Sequence, residues 1–382
     1  MPNVLTSLIP DAYAALDVVS RELVGFIPSV TRDAAVDRVA LSQTVRVAKT
    51  QSNSSGRDIT AAMAFPARSD QTIENVGIAI SKVRTFSFSW TGEEQYSVNQ
   101  GPGVLTISQS QIAQAMRAAV NEIESDVGAA AYAGSSRAFG TAGATPFATN
   151  LGESAQLKKI LDDNGTPGSD RSLVINTTSG ANLRTLLNNP LNANTSLNGD
   201  MTRQGVILDV NGFKFRESAQ VPTVTKGTGA SYTSNNAGYA IGATSITLIT
   251  GTGTVLAGDV ITFAGDVNKY VVATGVSAPG VVVLAAPGLR QAIPASATAI
   301  TIGGNFAANV GFSRNAILLA TRLPMIGTDG DLATSRETLT DPVSGLSFEI
   351  SAYPGYRMMT YEVSIAWGVK VIKPEHLAVL LG

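Results

Sequence analysis

"EVSIAWGVKVIKPEHLAVLLG", Glu362 to Gly382, is apolar almost to its last residue. A free chain end frays into solvent unless a sheet or a core holds it, so this run is expected to be docked in something substantial. Ile365, Trp367 and Val369 alternate with small or polar residues in the manner of a half-buried strand. Lys373 to Val379, "KPEHLAV", reads as a turn into a short helix. Immediately upstream, "GLSFEISAYPGYRMMTY" adds a second β-rich run.

The rest of the chain supplies partners for these runs. At 382 residues it exceeds what one hydrophobic core organises, so two or three subdomains are expected. Charged residues make up only 15% and aromatics 6%, a mix that favours short strands, tight turns and small-residue packing. There is no cysteine, which excludes disulfides and thiolate metal sites. A net charge of −2 with scattered Lys and Arg argues against phosphate-neutralising nucleic-acid binding. The opening "MPNVLTSLIPDAYAALDVVSRELVGFIPSV" lacks the basic leader of a signal peptide, and no apolar run reaches the length of a membrane span. The expectation is an intracellular product with no membrane role.

Ala12, Leu16, Val19, Leu23 and Phe26 recur at helical spacing, predicting an amphipathic helix between Pro10 and Pro28. In "TVRVAKTQSNSSGRDITAAMAF", Thr44 to Lys49 alternates as a strand, Gln51 to Arg57 forms a polar tip, and Asp58 to Phe65 returns, giving a long hairpin that must rest on a third surface. Val76, Ile78 and Ile80, then Phe86, Phe88 and Trp90, continue the period of two. Ser108 with Gln111 three residues on has the form of a capping box. Behind it Ile112, Ala115, Met116, Ala119, Val120, Ile123, Val127 and Ala130 make one apolar stripe, predicting a long helix to about Ala133 with Arg117, Glu122, Glu124 and Asp126 opposite the stripe and Gly128 as a weak point. Helices over "ESAQLKKILDDNG" and "SGANLRTLLNNP" and strands over "RSLVINTT" and "GVILDVNGFKFRESAQVP" follow. Between Gly227 and Asn305 only Asp259, Asp266, Lys269 and Arg290 are charged, and five short strand candidates alternate with Gly/Pro turns, as in an inserted small barrel or sandwich. The whole is an α+β chain split around an all-β block.

Catalytic patterns are thin. His376 is the sole histidine and has no readable nucleophile or acid partner. Asp162, Asp163 and Asn164, and Asp329 with Asp331, lack calcium-loop spacing and read as turns. "GTGTVLAGD" lacks the terminal Lys and Ser/Thr of a phosphate loop. Phe86, Phe88 and Trp90 could stack bases, but their spacing and the following "GEE" favour a core face. No enzyme, no metal and no cofactor is expected.

The order of parts resembles the tailed-bacteriophage major capsid proteins of the HK97-like fold. More narrowly it is similar to the short-tailed phage coat-protein family with an inserted β-barrel. The likeness is carried by "NVLTSLIPDAYAAL", "FKFRESAQVPTVTKGTG", "LAGDVITFAG", "NVGFSRNAILLATRLP" and "SIAWGVKVIKPEHLAVLLG" in this order. The resemblance implies an N-terminal arm over 1–38, an extended hairpin loop over 39–75, and a peripheral domain with a spine helix over 76–149. It further implies an apical domain over 150–222 and 306–345, an inserted all-β barrel over 223–305, and C-terminal peripheral strands over 346–382. Ile112, Met116, Ile123, Ile365, Trp367 and Val369 then become the peripheral core, and Arg46, Lys49, Arg57, Asp58 and Arg68 candidate inter-subunit contacts.

The implied function is self-assembly into hexamers and pentamers of an icosahedral head shell around packaged double-stranded DNA, enclosed but not read by sequence. The implied partners are many copies of the chain, a scaffolding protein during assembly and a portal protein at one vertex. The implied location is the virion capsid, assembled in the host bacterial cytoplasm. The insertion here is short and poor in charge, so a long inter-capsomer loop is not expected, and a chain that starts at the arm implies a separate scaffold. From the residues alone, a β-rich extracellular adhesin or carbohydrate-binding protein also fits the Gly/Thr-rich block, against the long helix and the missing export signal. A carboxylate hydrolase finds no convincing acid pair.

Overall fold

Period-two runs set the strands, and one long apolar stripe sets the helix around which they assemble. The computed structural model describes residues 24–49, 61, 74–99, 104–187, 209–277, 279–327, 330–340 and 345–382. Strands β1 (Thr31–Val39), β2 (Thr44–Lys49), β3 (Glu74–Ala79) and β4 (Lys82–Thr91) precede helices α1 (Gly92–Asn99) and α2 (Val104–Ala133). Then come β5 (Arg137–Phe139), α3 (Gly152–Asp163), β6 (Arg171–Ile175), α4 (Thr177–Leu187), β7 (Lys214–Glu217) and β8 (Thr223–Val224). The Gly/Thr-rich block supplies β9 (Ser245–Thr247), β10 (Val260–Phe263), β11 (Lys269–Thr274), β12 (Val281–Leu284) and β13 (Ile300–Ile302). The chain closes with β14 (Phe306–Ser313), β15 (Ile317–Pro324), β16 (Ser335–Thr340), β17 (Ser347–Gly355), β18 (Met358–Val371) and β19 (Leu377–Leu381).

A six-stranded sheet runs β1-β15-β18-β17-β16, with β4 on the far edge of β18. Strand β18 is long enough to pair β15 through Ala366–Val371 and β17 through Met358–Ser364 on one edge, while Met358–Trp367 pairs β4 on the other. An eleven-stranded sheet runs β13-β10-β11-β5-β19-β14-β6-β7, with β12 and β9 leading off β11 and β8 off β14. The apolar chain end is therefore divided: β18 lies within the first sheet and β19 within the second, where it pairs antiparallel with β14 and parallel with β5. The change of sheet occurs at a 3-10 turn, Pro374–His376. Every residue of β19 is buried, as expected of a strand covered on both faces.

The main core joins α2 to both sheets. Ile112, Met116, Ala119, Val120, Ile123, Val127 and Ala131 meet Val363, Ile365 and Trp367 of β18, Phe348 and Ile350 of β17, and Phe26, Ile27 and Val30. A second core draws only on the Gly/Thr-rich block, from Tyr232 to Ile300. That block is nonetheless stitched to the rest, because Lys269 and Tyr270 of β11 pair with Ala138 and Arg137 of β5. At the same joint Gly258, with a φ of +90°, abuts the ring of Tyr132 so closely that a Cβ would lie 2.4 Å from it.

Several sequence expectations are corrected. Helix α2 begins at Val104, so Ser108 lies inside it, buried, and is not its cap; the apolar "VLTI" upstream extends the helix instead. Its 30 residues span about 45 Å at the α-helical rise. Strand β2 pairs with β3, with Thr44 opposite Ala79 and Lys49 opposite Glu74; Asp58 to Phe65, read from the sequence as the return strand, lies outside the described residues except for Ala61. The N-terminal helix expected to Phe26 lies outside them up to Leu23. Val24 to Phe26 are not helical, because Phe26 turns into the core ahead of the 3-10 turn Ile27–Ser29. Thr31 to Val39, at the C-terminal end of the stretch read as the arm, form β1, paired with β15. Lys373 to Val379 forms a 3-10 turn and a strand, not a short helix.

Candidate functional site

The long helix carries two polar attachments, one on each flank of its apolar stripe. On the β4 side, Lys82 Nζ donates to Glu122 Oε1 and Asp126 Oδ1, both at 2.9 Å, and Arg84 Nε reaches Glu122 at 3.2 Å. Trp367 Nε1 donates to Asp126 Oδ2 at 2.8 Å, and the Lys82 ammonium sits 5.8 Å from the Trp367 ring centroid. Glu122 and Asp126, four residues apart, thus share one helix face and grip both β4 and β18. Partial burial pushes the Glu122 carboxyl upward, but Lys82 and Arg84 outweigh it and hold the group below the ordinary carboxylate range. Partial burial likewise lowers Lys82, and the bonds and charges of Asp126 and Glu122 raise it above its ordinary value.

The opposite flank corrects the sequence reading. Glu124, expected on the solvent side, is only 1% exposed. Its Oε1 accepts the backbone N–H groups of Gly25 and Phe26, each at 2.6 Å, and its Oε2 accepts that of Ile27 at 2.9 Å. Burial pushes this carboxyl above the usual range, against the pull of donors from Phe26, Ile27, Ser218 and Gly25. One turn on, a Cβ at Gly128 would lie 3.1 Å from both Phe26 and Pro222, so the Phe26 ring packs closely over Gly128. Phe26 in turn stacks on Phe312, with centroids 6.3 Å apart. Position 124 lies four residues after Val120 and three before Val127, at the margin of the apolar stripe; that spacing is the sequence signal that could have marked it.

The hairpin β2–β3 is mounted on the other face of the six-stranded sheet. Ile78 and Ile80 are buried with Val39, Leu318, Ala320 and Ala366. Gly368 allows β3 to cross β18, since a Cβ there would lie 2.1 Å from the Ala79 carbonyl oxygen, and Lys370 Nζ donates to Gly77 O at 2.9 Å. Arg46 is exposed on β2 opposite Gly77, and Lys49 ends the same strand. Arg57, Asp58 and Arg68 lie outside the described residues. Ile112, Met116, Ile123, Ile365 and Trp367 are fully buried together, and Val369 is half-buried against the same cluster.

The chemical candidates are absorbed by structural duties. Asp162 pairs with Arg171 at 2.6 Å and Asp163 with Arg137 at 3.5 Å. Asn164 Nδ2 donates to Ser136 Oγ and to the Glu375 carbonyl. Asp331 accepts from Arg336 and Tyr353, and Asp329 lies outside the described residues. His376 is buried, and burial lowers its basicity although Glu375 opposes this. Among the described residues no group of acids and His that could hold a metal is found. Among the described residues no helix is long and apolar enough to cross a membrane. An open cleft of about 1030 Å³ beside Trp90, Tyr96, Tyr356, Met358 and Tyr361 has Glu93 as its carboxylate, and Tyr356 at its rim is 92% exposed.

No protein-family model matches the sequence, and no curated protein matches it. Solved structures do. The chain is similar to one in the "Capsid structure of the Cyanophage P-SCSP1u", at 12% identity and a TM-score of 0.50, over 92% of this chain and 86% of that one. Lower scores relate it to the asymmetric unit of the bacteriophage PhiM1 mature capsid, at 12% identity and 0.46 over 94% and 86% of the two chains. The virus-like particle from Pyrococcus furiosus scores 0.43 at 10% identity over 96% of each. The cyanophage likeness, which runs nearly end to end, establishes a shared fold.

Proposed function

We propose that this chain is the major capsid protein of a tailed phage, and that its work is geometric. The observation that carries the reading is the fold shared with the cyanophage capsid chain over nearly the whole length of both. In finer terms the fold is HK97-like: α2 is the spine helix, the β2–β3 hairpin is the root of an extended loop, and the Gly/Thr-rich block is an inserted barrel. Copies of the chain make heterologous contacts that close into hexamers and pentamers and join into an icosahedral shell around double-stranded DNA. A scaffolding protein during assembly and a portal protein at one vertex complete the set of partners. The shell is built in the bacterial host and ends as the virion capsid.

The mechanism asks for a stiff body and a reaching element. The body is the long helix laid across β18, and Lys82, Glu122, Asp126 and Trp367 keep helix and sheet in one register. The reaching element starts from β2 and β3, whose seat on Ile78, Ile80, Gly368 and Lys370 holds its root in a set direction. Arg46, Lys49, Arg57, Asp58 and Arg68 along it then meet opposite charges on a neighbouring copy, which selects register more than it adds affinity. Removing Ser52 to Gly56 from the tip is expected to leave the circular-dichroism spectrum and thermal midpoint of the monomer unchanged while particle yield in sedimentation collapses. Normal particle yield from this deletion would overturn the role given to the hairpin.

A further inference from the structure

Residues 24–30 occupy a socket that is built for them. Gly25 fits where no other residue can, because a Cβ there would lie 2.8 Å from Val174 Cγ1 and 2.9 Å from the Glu217 carbonyl oxygen. The Phe26 ring packs closely over Gly128, and Ser29 Oγ donates to Gly25 O at 2.7 Å, folding the segment on itself. Three successive backbone N–H groups then converge on a single carboxylate, that of Glu124, from a part of the chain 97 to 99 residues away. The donors that meet this charge are all uncharged: three amides and the Ser218 hydroxyl. A buried carboxylate satisfied in this way gains from its hydrogen bonds and loses its hydration, so leaving the socket restores to it the water it gave up. Opening also uncovers Phe26, Ile27 and Val30, each fully buried against the main core, so the regained hydration of the carboxylate offsets only part of its cost.

We propose that residues 24–30 are a latch that opens as one unit, with Glu124 as its catch, so that the root of the N-terminal segment leaves α2 while both sheets remain folded. The catch and Gly128 are one helical turn apart, so the latch is seated on α2, whereas the next residues, in β1, belong to the six-stranded sheet and pair with β15. Opening therefore pivots near Val30, where the segment seated on α2 passes into β1. The latch is a property of the single chain and does not depend on shell formation.

Native-state hydrogen exchange on the full-length protein in low denaturant tests this. The amides of Gly25, Phe26 and Ile27 are expected to exchange together through an opening that leaves β14 and β18 protected. Both Glu124→Gln, which replaces an acceptor with an amide that is itself a donor, and Gly25→Ala, which leaves the carboxylate in place and blocks the seat, are expected to speed these three amides about 10-fold or more. Protection in β14 and β18 should not change. If one variant does not fold, the other and the wild-type measurement decide the matter. Exchange of the three amides only with global unfolding, or rates unmoved by the folded variants, would overturn the proposal.

Discussion

Two buried carboxylates, one in the Gly/Thr-rich block and one in the main body, perform the same local chemistry, and their difference explains much of how the chain is organised. Asp259, in the Gly/Thr-rich block, accepts the backbone N–H groups of Leu256, three residues away, and of Gly227, at 2.7 and 3.1 Å to its Oδ2. Glu124, in the main body, accepts those of Gly25 to Ile27 from nearly a hundred residues away. The core of the block likewise comes from one stretch, Tyr232 to Ile300, whereas that of the body comes from segments between Phe26 and Leu377. One region is closed by local turns. The other exists only when distant segments meet, and there charged and polar groups fix how they meet.

The most severe way to break this contrast is to remove the hub of the long-range core. Trp367→Ala deletes a fully buried ring and the bond to Asp126, and is expected to cost about 3–5 kcal/mol in denaturant unfolding. A loss under about 1 kcal/mol would mean that the body does not depend on the helix-to-β18 contact. The joint between the two regions is probed by Gly258→Val. The residue has a positive φ and its new Cβ would strike Tyr132, so a loss of about 1–3 kcal/mol is expected, with loosened exchange in both β5 and β11. Loosening confined to the block would show that it is merely tethered.

The smallest effect sharpens the picture of the Lys82 strap. Glu122 is held below the ordinary carboxyl value of 4.5, so its contribution is present above that pH and lost as pH falls through the lowered value. Lys82 is held above its ordinary 10.5, so its contribution is present below that pH and lost as pH rises through the raised value. The stability difference between wild type and Lys82→Met should therefore be flat between these limits and shrink on acidification below about 4.5. With side chains 33% and 26% exposed, the difference at neutral pH is expected to be about 0.5–1 kcal/mol. Denaturant midpoints across pH would read it.

What could be read from the residues follows the same divide between local and distant. The five strands of the block were legible because each alternates within a few residues and is bounded by Gly or Pro turns. The apolar stripe of α2 was legible for the same reason, although Ser108 misled as a cap because a capping pattern can also occur inside a helix whose flanking residues are apolar. The pairing of β2 with β3 was not legible: "ENVGIA" alternates as other runs do, and its place beside β2 comes with a seat on β18 that no local pattern encodes. Nor was the fate of the chain end, since "VKVIKPEHLAVLL" shows two apolar runs without saying that they serve different sheets. Glu124 was missed because a carboxylate is placed on the solvent side by default, and the three amides that justify its burial come from far along the chain.

The capsid reading is tested most directly by negative-stain electron microscopy of the purified protein, alone and co-expressed with a scaffolding partner. Closed shells of uniform diameter, built of five- and six-membered rings, are the predicted result. A protein that stays monomeric at high concentration under both conditions would contradict it.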